Sequence, residues 1–180
     1  MNLLTNFKKI RILSLLIAPA LTTVAAFIAA PAGATPSCGV TTTNLLDPVP
    51  AAYFPNGLLK LFCASNQPDW LLLMRARGDS DLYVSQLTFA PGAQAGWHTH
   101  PGPSLVTVIE GTLTVYHDDC TSETFMAGQA FTDVGCGDVH NVVNETGAEA
   151  KTIAVQIVPH GAPRRIDEPN PGCAQPPPCP

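Results

Sequence analysis

Apolar residues past position 56 fall into short runs, several of them alternating with hydroxyl residues. In residues 112–116, Leu113 and Val115 alternate with Thr112, Thr114 and Tyr116. A period of two sends successive side chains to opposite faces of a strand and marks a sheet with one face in a core. Residues 105–109 and 112–116 flank Glu110-Gly111, which predicts a hairpin turn. Residues 58–64 and 70–77 are apolar runs split by the turn-rich Ser65-Asn66-Gln67-Pro68-Asp69. Further short runs follow at 82–89, 125–126, 130–131, 139–143 and 153–158, punctuated by Gly128, Gly135, Gly137 and Gly147. No long segment after the N-terminal stretch carries a helical period. Short strands with Gly and Pro turns predict an all-β fold, a sandwich or barrel.

The two ends depart from this pattern. Lys8, Lys9 and Arg11 precede an uncharged run over residues 12–34 that ends in Ala32-Gly33-Ala34. This is the pattern of a signal peptide, expected over 1–34, and it predicts a secreted or periplasmic protein. An uncleaved anchor is the alternative, since about 20 apolar residues span a bilayer. Pro19, Thr22, Thr23 and Pro31 weaken that reading. After cleavage no membrane association is expected. Residues 35–55 read as an extended lead-in, 56–160 as the barrel, and 161–180 as a surface tail too proline-rich for a central strand.

Charge narrows the partners. Nine Lys and Arg, less the three in the leader, leave six against fourteen Asp and Glu, a net charge of −8. Such a surface repels a phosphate backbone, so nucleic acid is not an expected partner. All six cysteines follow the leader: Cys38, Cys63, Cys120, Cys136, Cys173 and Cys179. An even count in an exported chain makes each a disulfide candidate. Sequence does not fix the pairing. Joining Cys120 to Cys173 is the expectation preferred here, because it clips the tail to the barrel.

The chemistry concentrates in Gly96–Gly111, "GWHTHPGPSLVTVIEG". On a strand, residues i and i+2 share a side, so His98 and His100 aim at one point. Two converging imidazoles can hold a metal at about 2.0–2.1 Å per bond. His140, in "GDVHNVVN", is the natural third ligand. Asn144 opens the sequon Asn144-Glu145-Thr146, which makes it a glycan acceptor by pattern, but a structural hydrogen-bonding role is the expectation preferred here. Ser104 lacks the trailing glycine of a nucleophile elbow.

These residues resemble the cupin motifs. The first, G-x5-H-x-H-x3,4-E-x6-G, is matched by Gly92, His98, His100 and Gly111. The second, G-x5-P-x-G-x2-H-x3-N, is matched at its end by Gly137, His140 and Asn144, and at its start by Gly128 with one residue inserted and the proline missing. The resemblance covers roughly residues 82–158. It implies a double-stranded β-helix, a jelly-roll barrel, with a metal in its mouth. The family's glutamate falls at Ser104 or Leu105, neither a carboxylate. The implied site is therefore three histidines, His98, His100 and His140. Gln94 and Ser104 are weaker candidates for touching a ligand or metal-bound water.

Imidazole donors suit zinc, copper, nickel or iron, and manganese stays among the candidates. Ligand type alone does not choose among these divalent transition metals. No carboxylate is placed near the histidines by motif, which predicts metal-centred chemistry of an oxygenase-like or isomerase-like kind on a small-molecule ligand. Two alternatives stay open: a non-catalytic module that binds a small ligand or the metal, and a metal-free interaction barrel that forms a homodimer through an exposed edge.

Overall fold

The computed structural model describes residues 34–174. The expected signal segment, apart from Ala34, and Cys179 lie outside the described residues. Within them run thirteen strands: β1 (Cys38–Asn44), β2 (Ala52–Phe54), β3 (Lys60–Ala64), β4 (Leu71–Arg75), β5 (Ser80–Gln94), β6 (His98–Thr99), β7 (Ser104–Glu110), β8 (Thr112–His117), β9 (Ser122–Met126), β10 (Ala130–Asp133), β11 (His140–Val143), β12 (Ala150–Pro159) and β13 (Ile166–Asp167). No α-helix occurs among the described residues.

Two series of strands make the jelly roll. In one, β10, β7, β12 and β5 are neighbours, with β1 and β2 also paired to β5. In the other, β9, β8, β11, β6 and β13 are neighbours. The end of β5 links the two series where Gln94 pairs with Val143 of β11. The result is a nearly closed, barrel-like sheet of the double-stranded β-helix type.

Alternation in the sequence decides what faces inward. Along β12, Ala150, Thr152, Ala154, Gln156 and Val158 are buried, while the residues between them are only partly covered. The core joins both series: Phe89 and Ala93 of β5, Val108 of β7, Leu113 and Val115 of β8, and Val142 of β11. Full burial of a side chain such as Phe89 contributes about 1.5–3 kcal/mol. The turn expected at Glu110-Gly111 joins β7 to β8.

Residues 35–55 are more than a connection, since β1 and β2 add two paired segments to the long strand β5. The runs at 58–64 and 70–77 do form strands, but β3 and β4 pair only with each other, in a sheet of their own. Phe62 is 72% exposed and Leu73 66%. These runs are apolar apart from Lys60, Arg75 and Arg77, and they lack the alternation that gives a strand one core face. The turn between them closes the backbone hydrogen bonds inside the hairpin, so the ribbon is complete without the barrel.

Cys120 and Cys173 are bonded, with S–S 2.08 Å, and Cys38 is also in a disulfide. Cys63 and Cys136, disulfide candidates by sequence, are instead free and exposed. Cys63 is held opposite Leu72 in the outlying hairpin. Cys136 sits in the turn before β11, with its thiol toward the Pro101 carbonyl at 3.7 Å. The two thiols belong to separate elements, each fixed by its own backbone hydrogen bonds.

Candidate metal centre

The site begins at Gly96. Its φ is +75°, and a Cβ there would lie 2.4 Å from the Thr35 carbonyl oxygen, so this turn requires glycine. Trp97, 1% exposed, then fixes the chain in the core. His98 follows on β6 and His100 just beyond it. Their rings are edge to face, with centroids 4.8 Å apart. His140 of β11 is the direct cross-strand partner of His98, and those ring centroids are 4.3 Å apart. One ring nitrogen from each of His98, His100 and His140 lies within 4.8 Å of the others.

The backbone sets the tautomers. His98 Nδ1 donates to the Gly96 carbonyl at 2.7 Å and His100 Nδ1 to the Arg164 carbonyl at 2.6 Å. His140 Nδ1 faces the Asp138 carbonyl at 3.5 Å. A carbonyl only accepts, so each Nδ1 carries a hydrogen and each Nε2 is the nitrogen turned inward. Burial pushes the His98 pKa down to about 2, helped by the charges of His140 and Arg165. Burial also lowers that of His140, against the opposing pull of Asp133. Imidazoles whose Nε2 atoms converge in this way are a ligand set for a transition metal.

A carboxylate is present as well, contrary to the sequence expectation. Asp133, at the end of β10, is 5% exposed. Its Oδ2 is 3.1 Å from His100 Nε2 and 3.7 Å from His140 Nε2. No hydrogen-bond donor reaches this oxygen. Sequence reasoning missed it because Asp133 lies outside both motif positions for ligands. Its only sequence signal is an acidic residue on the run leading into His140, and strand pairing is what brings it inward.

The residues between barrel and tail were also missed. Gln156 Nε2 donates to the Arg164 carbonyl at 2.9 Å, and Arg164 Nε donates back to Gln156 Oε1 at 3.1 Å. Arg164 also donates to Ser85 Oγ at 3.0 Å and stacks over Tyr83, 4.3 Å from its centroid. This clamp holds the carbonyl that orients His100.

A cavity of about 400 Å³ opens beside His98 and His100, bounded by Leu87, Phe89, Gln156 and Arg165. A second, about 460 Å³, opens beside Asp133 and His140, against Val115, Phe125 and Phe131. Ser104 and Gln94 line neither. Ser104 is buried on β7, opposite Asp133. Gln94 accepts from Asn141 Nδ2 at 3.1 Å.

Residues 85–156 match the family model described as "Cupin domain". Among solved structures, the polyketide cyclase RemF from Streptomyces resistomycificus is 14% identical with a TM-score of 0.49, over 78% of this chain and 84% of that one. A cupin superfamily protein from Desulfitobacterium hafniense is 11% identical with a TM-score of 0.43, over 68% and 80%. An oxalate oxidase is 24% identical with a TM-score of 0.38, over 44% and 46%. A comparison with curated proteins finds no match. The two motifs and the matched residues together make 85–156 of this chain a cupin domain.

Proposed function

We propose that this chain is an exported cupin in which His98, His100 and His140 hold a divalent transition metal and the adjoining cavity binds a small molecule. The observation that carries the reading is the convergence of three imidazoles within 4.8 Å, each with its outer nitrogen turned to a backbone carbonyl. Such an ion, when bound, supplies Lewis acidity toward a carbonyl or enolate oxygen and, if it is iron or copper, oxygen chemistry. The protein's own part is binding and exclusion of water. Leu87 and Phe89 give the cavity an apolar wall, and Gln156 and Arg165 give it polar donors. Arg165 Nη2 is buried with no partner, which favours a ligand bearing an anionic or carbonyl oxygen. The Cys120–Cys173 disulfide supports an oxidising, extracytoplasmic setting.

Elemental analysis of the untagged, natively exported protein tests the reading. The expected result is about one equivalent of a single transition metal, lost in the His98→Ala/His140→Ala double variant. Metal-free native protein that takes up no divalent transition ion overturns it. Oxygen uptake by the iron-loaded protein with diketones, thiols and phenolics then separates oxygenase-like activity from ligand binding without turnover.

A further inference from the structure

We propose that Asp133 Oδ2 is a fourth protein ligand of this centre, so that a carboxylate absent from β7 is supplied by the neighbouring strand β10. The inference rests on the metal reading above and specifies the same site. In β7, position 104 is a serine where the first motif has its glutamate. Ser104 and Asp133 are Cα partners in the antiparallel pair of β7 and β10. Residues directly opposite each other on such a pair send their side chains to the same face, with Cβ atoms about 4.5–5.5 Å apart. A carboxylate at 133 therefore enters the barrel one strand over from the motif position, from the same face.

Its orientation is fixed. The Gly135 amide donates to Asp133 Oδ1 at 2.8 Å in a buried hydrogen bond. Gly135 has φ +63°, and a Cβ there would lie 2.3 Å from the Gly102 carbonyl oxygen, so the turn that presents this amide needs glycine. With Oδ1 tied back, Oδ2 is aimed at the histidines, 3.1 Å from one Nε2 and 3.7 Å from another. Two donor atoms bound to one ion at about 2.0–2.2 Å stand about 2.8–3.6 Å apart, depending on geometry. The 3.1 Å separation from His100 lies in that range and the 3.7 Å separation from His140 just beyond it, so Oδ2 stands close to the spacing of a neighbour to these two imidazoles in one coordination shell.

Electrostatics gives the same answer. His100 Nδ1 donates to a carbonyl, which leaves Nε2 as the nitrogen that faces Asp133; in the neutral ring that nitrogen is a lone pair set against an anion. Among the described residues, no lysine or arginine pairs with Asp133. A buried carboxylate set against two lone pairs is unfavourable without a cation among them. A divalent ion at their common focus turns that repulsion into coordination. The shell of three imidazoles and one carboxylate leaves a net charge of +1, where three imidazoles alone would leave +2. The added oxygen donor also widens the set of suitable ions toward manganese.

The test uses the full exported chain and cobalt(II) as the probe. Competition titration measures affinity, the visible absorption of bound cobalt reports the ligand set, and thermal unfolding is followed with and without metal. Asp133→Asn keeps the shape and removes the charge. The expected result is a loss of about a hundredfold or more in cobalt affinity, at or beyond the upper end of what removing an outer-shell partner of a metal ligand costs. It comes with a changed cobalt spectrum and, without metal, a melting temperature equal to or above that of the parent. Unchanged affinity and spectrum overturn the proposal and leave the three-histidine centre standing. An Asp133→Asn variant that unfolds or melts lower without metal also overturns it, because Asp133 is then a structural ion-pair partner of protonated His100. Failure of the parent chain itself to bind cobalt overturns the metal reading, and this inference with it.

Discussion

At the scale of single residues, Asn144 shows how a motif position works. It is completely buried. Its Nδ2 donates to the carbonyls of Phe89, Ala90 and Ala148 at 3.1, 3.0 and 2.7 Å. Its Oδ1 accepts from the Thr146 amide and hydroxyl. The sequon is therefore spent on holding β5 to the turn after β11, with no amide left to carry a glycan. Asn144→Ala strands these groups in the interior, and a loss of about 3 kcal/mol or more is expected in urea unfolding. A loss under about 1 kcal/mol would show that the network is dispensable. His98, His100 and His140 were legible because period two and motif spacing are both written in the sequence. Asp133 was not, because its place depends on β10 lying against β7, a pairing between segments that share no local signal.

At the scale of elements, the ends of β5 and β12 are tied by a titrating pair. His160, just past β12, donates through Nδ1 to Asp81 Oδ1 at 2.8 Å, and the Gly161 amide donates to Asp81 Oδ2 at 3.0 Å. The Gly161 amide, with His160 second, holds the Asp81 pKa below the ordinary carboxylate range. Asp81 in turn raises that of His160. A raised histidine stabilises fully below its unfolded pKa of about 6.5 and loses that contribution as pH climbs through the folded value. A depressed aspartate stabilises above about pH 4 and loses its contribution as pH falls through the folded value. The pair should act together between about pH 4 and 6.5. Melting temperature measured across that window should fall less steeply at either edge in His160→Ala than in the parent; parallel curves would discard the pair as a contributor. The strands themselves were readable wherever apolar and polar positions alternate. The β3–β4 hairpin was readable as strands but not as an outlier, because a run apolar on both faces does not say which face, if either, meets a core.

At the scale of the whole molecule, the tail reaches the three-histidine cluster. The Arg164 carbonyl orients His100, and β13 pairs with β6, where Ile166 meets Thr99 and Asp167 meets His98. The disulfide to Cys120 anchors this segment 53 residues away in sequence. Replacing Cys120 and Cys173 with serine is expected to cost about 2–4 kcal/mol of stability. It should also weaken the proposed metal binding about tenfold or more, since the group that orients His100 is loosened. Equal affinity in the parent and the double serine variant would separate the tail from the centre. The preference for joining Cys120 to Cys173 came from a simple consideration, that a proline-rich tail needs a staple. The tail's reach to His100 had no comparable trace in the sequence, because it acts through a main-chain oxygen that every residue possesses.

That oxygen and its counterparts at Gly96 and Asp138 lead to a broader point about tolerance to change. Each histidine is steered by main chain rather than by a neighbouring acid or amide side chain. Substitutions at 138 that preserve the path of the chain leave the steering oxygen in place. An engineer seeking to alter the electron richness of these imidazoles therefore has no side chain to exchange there and must bend the loops instead.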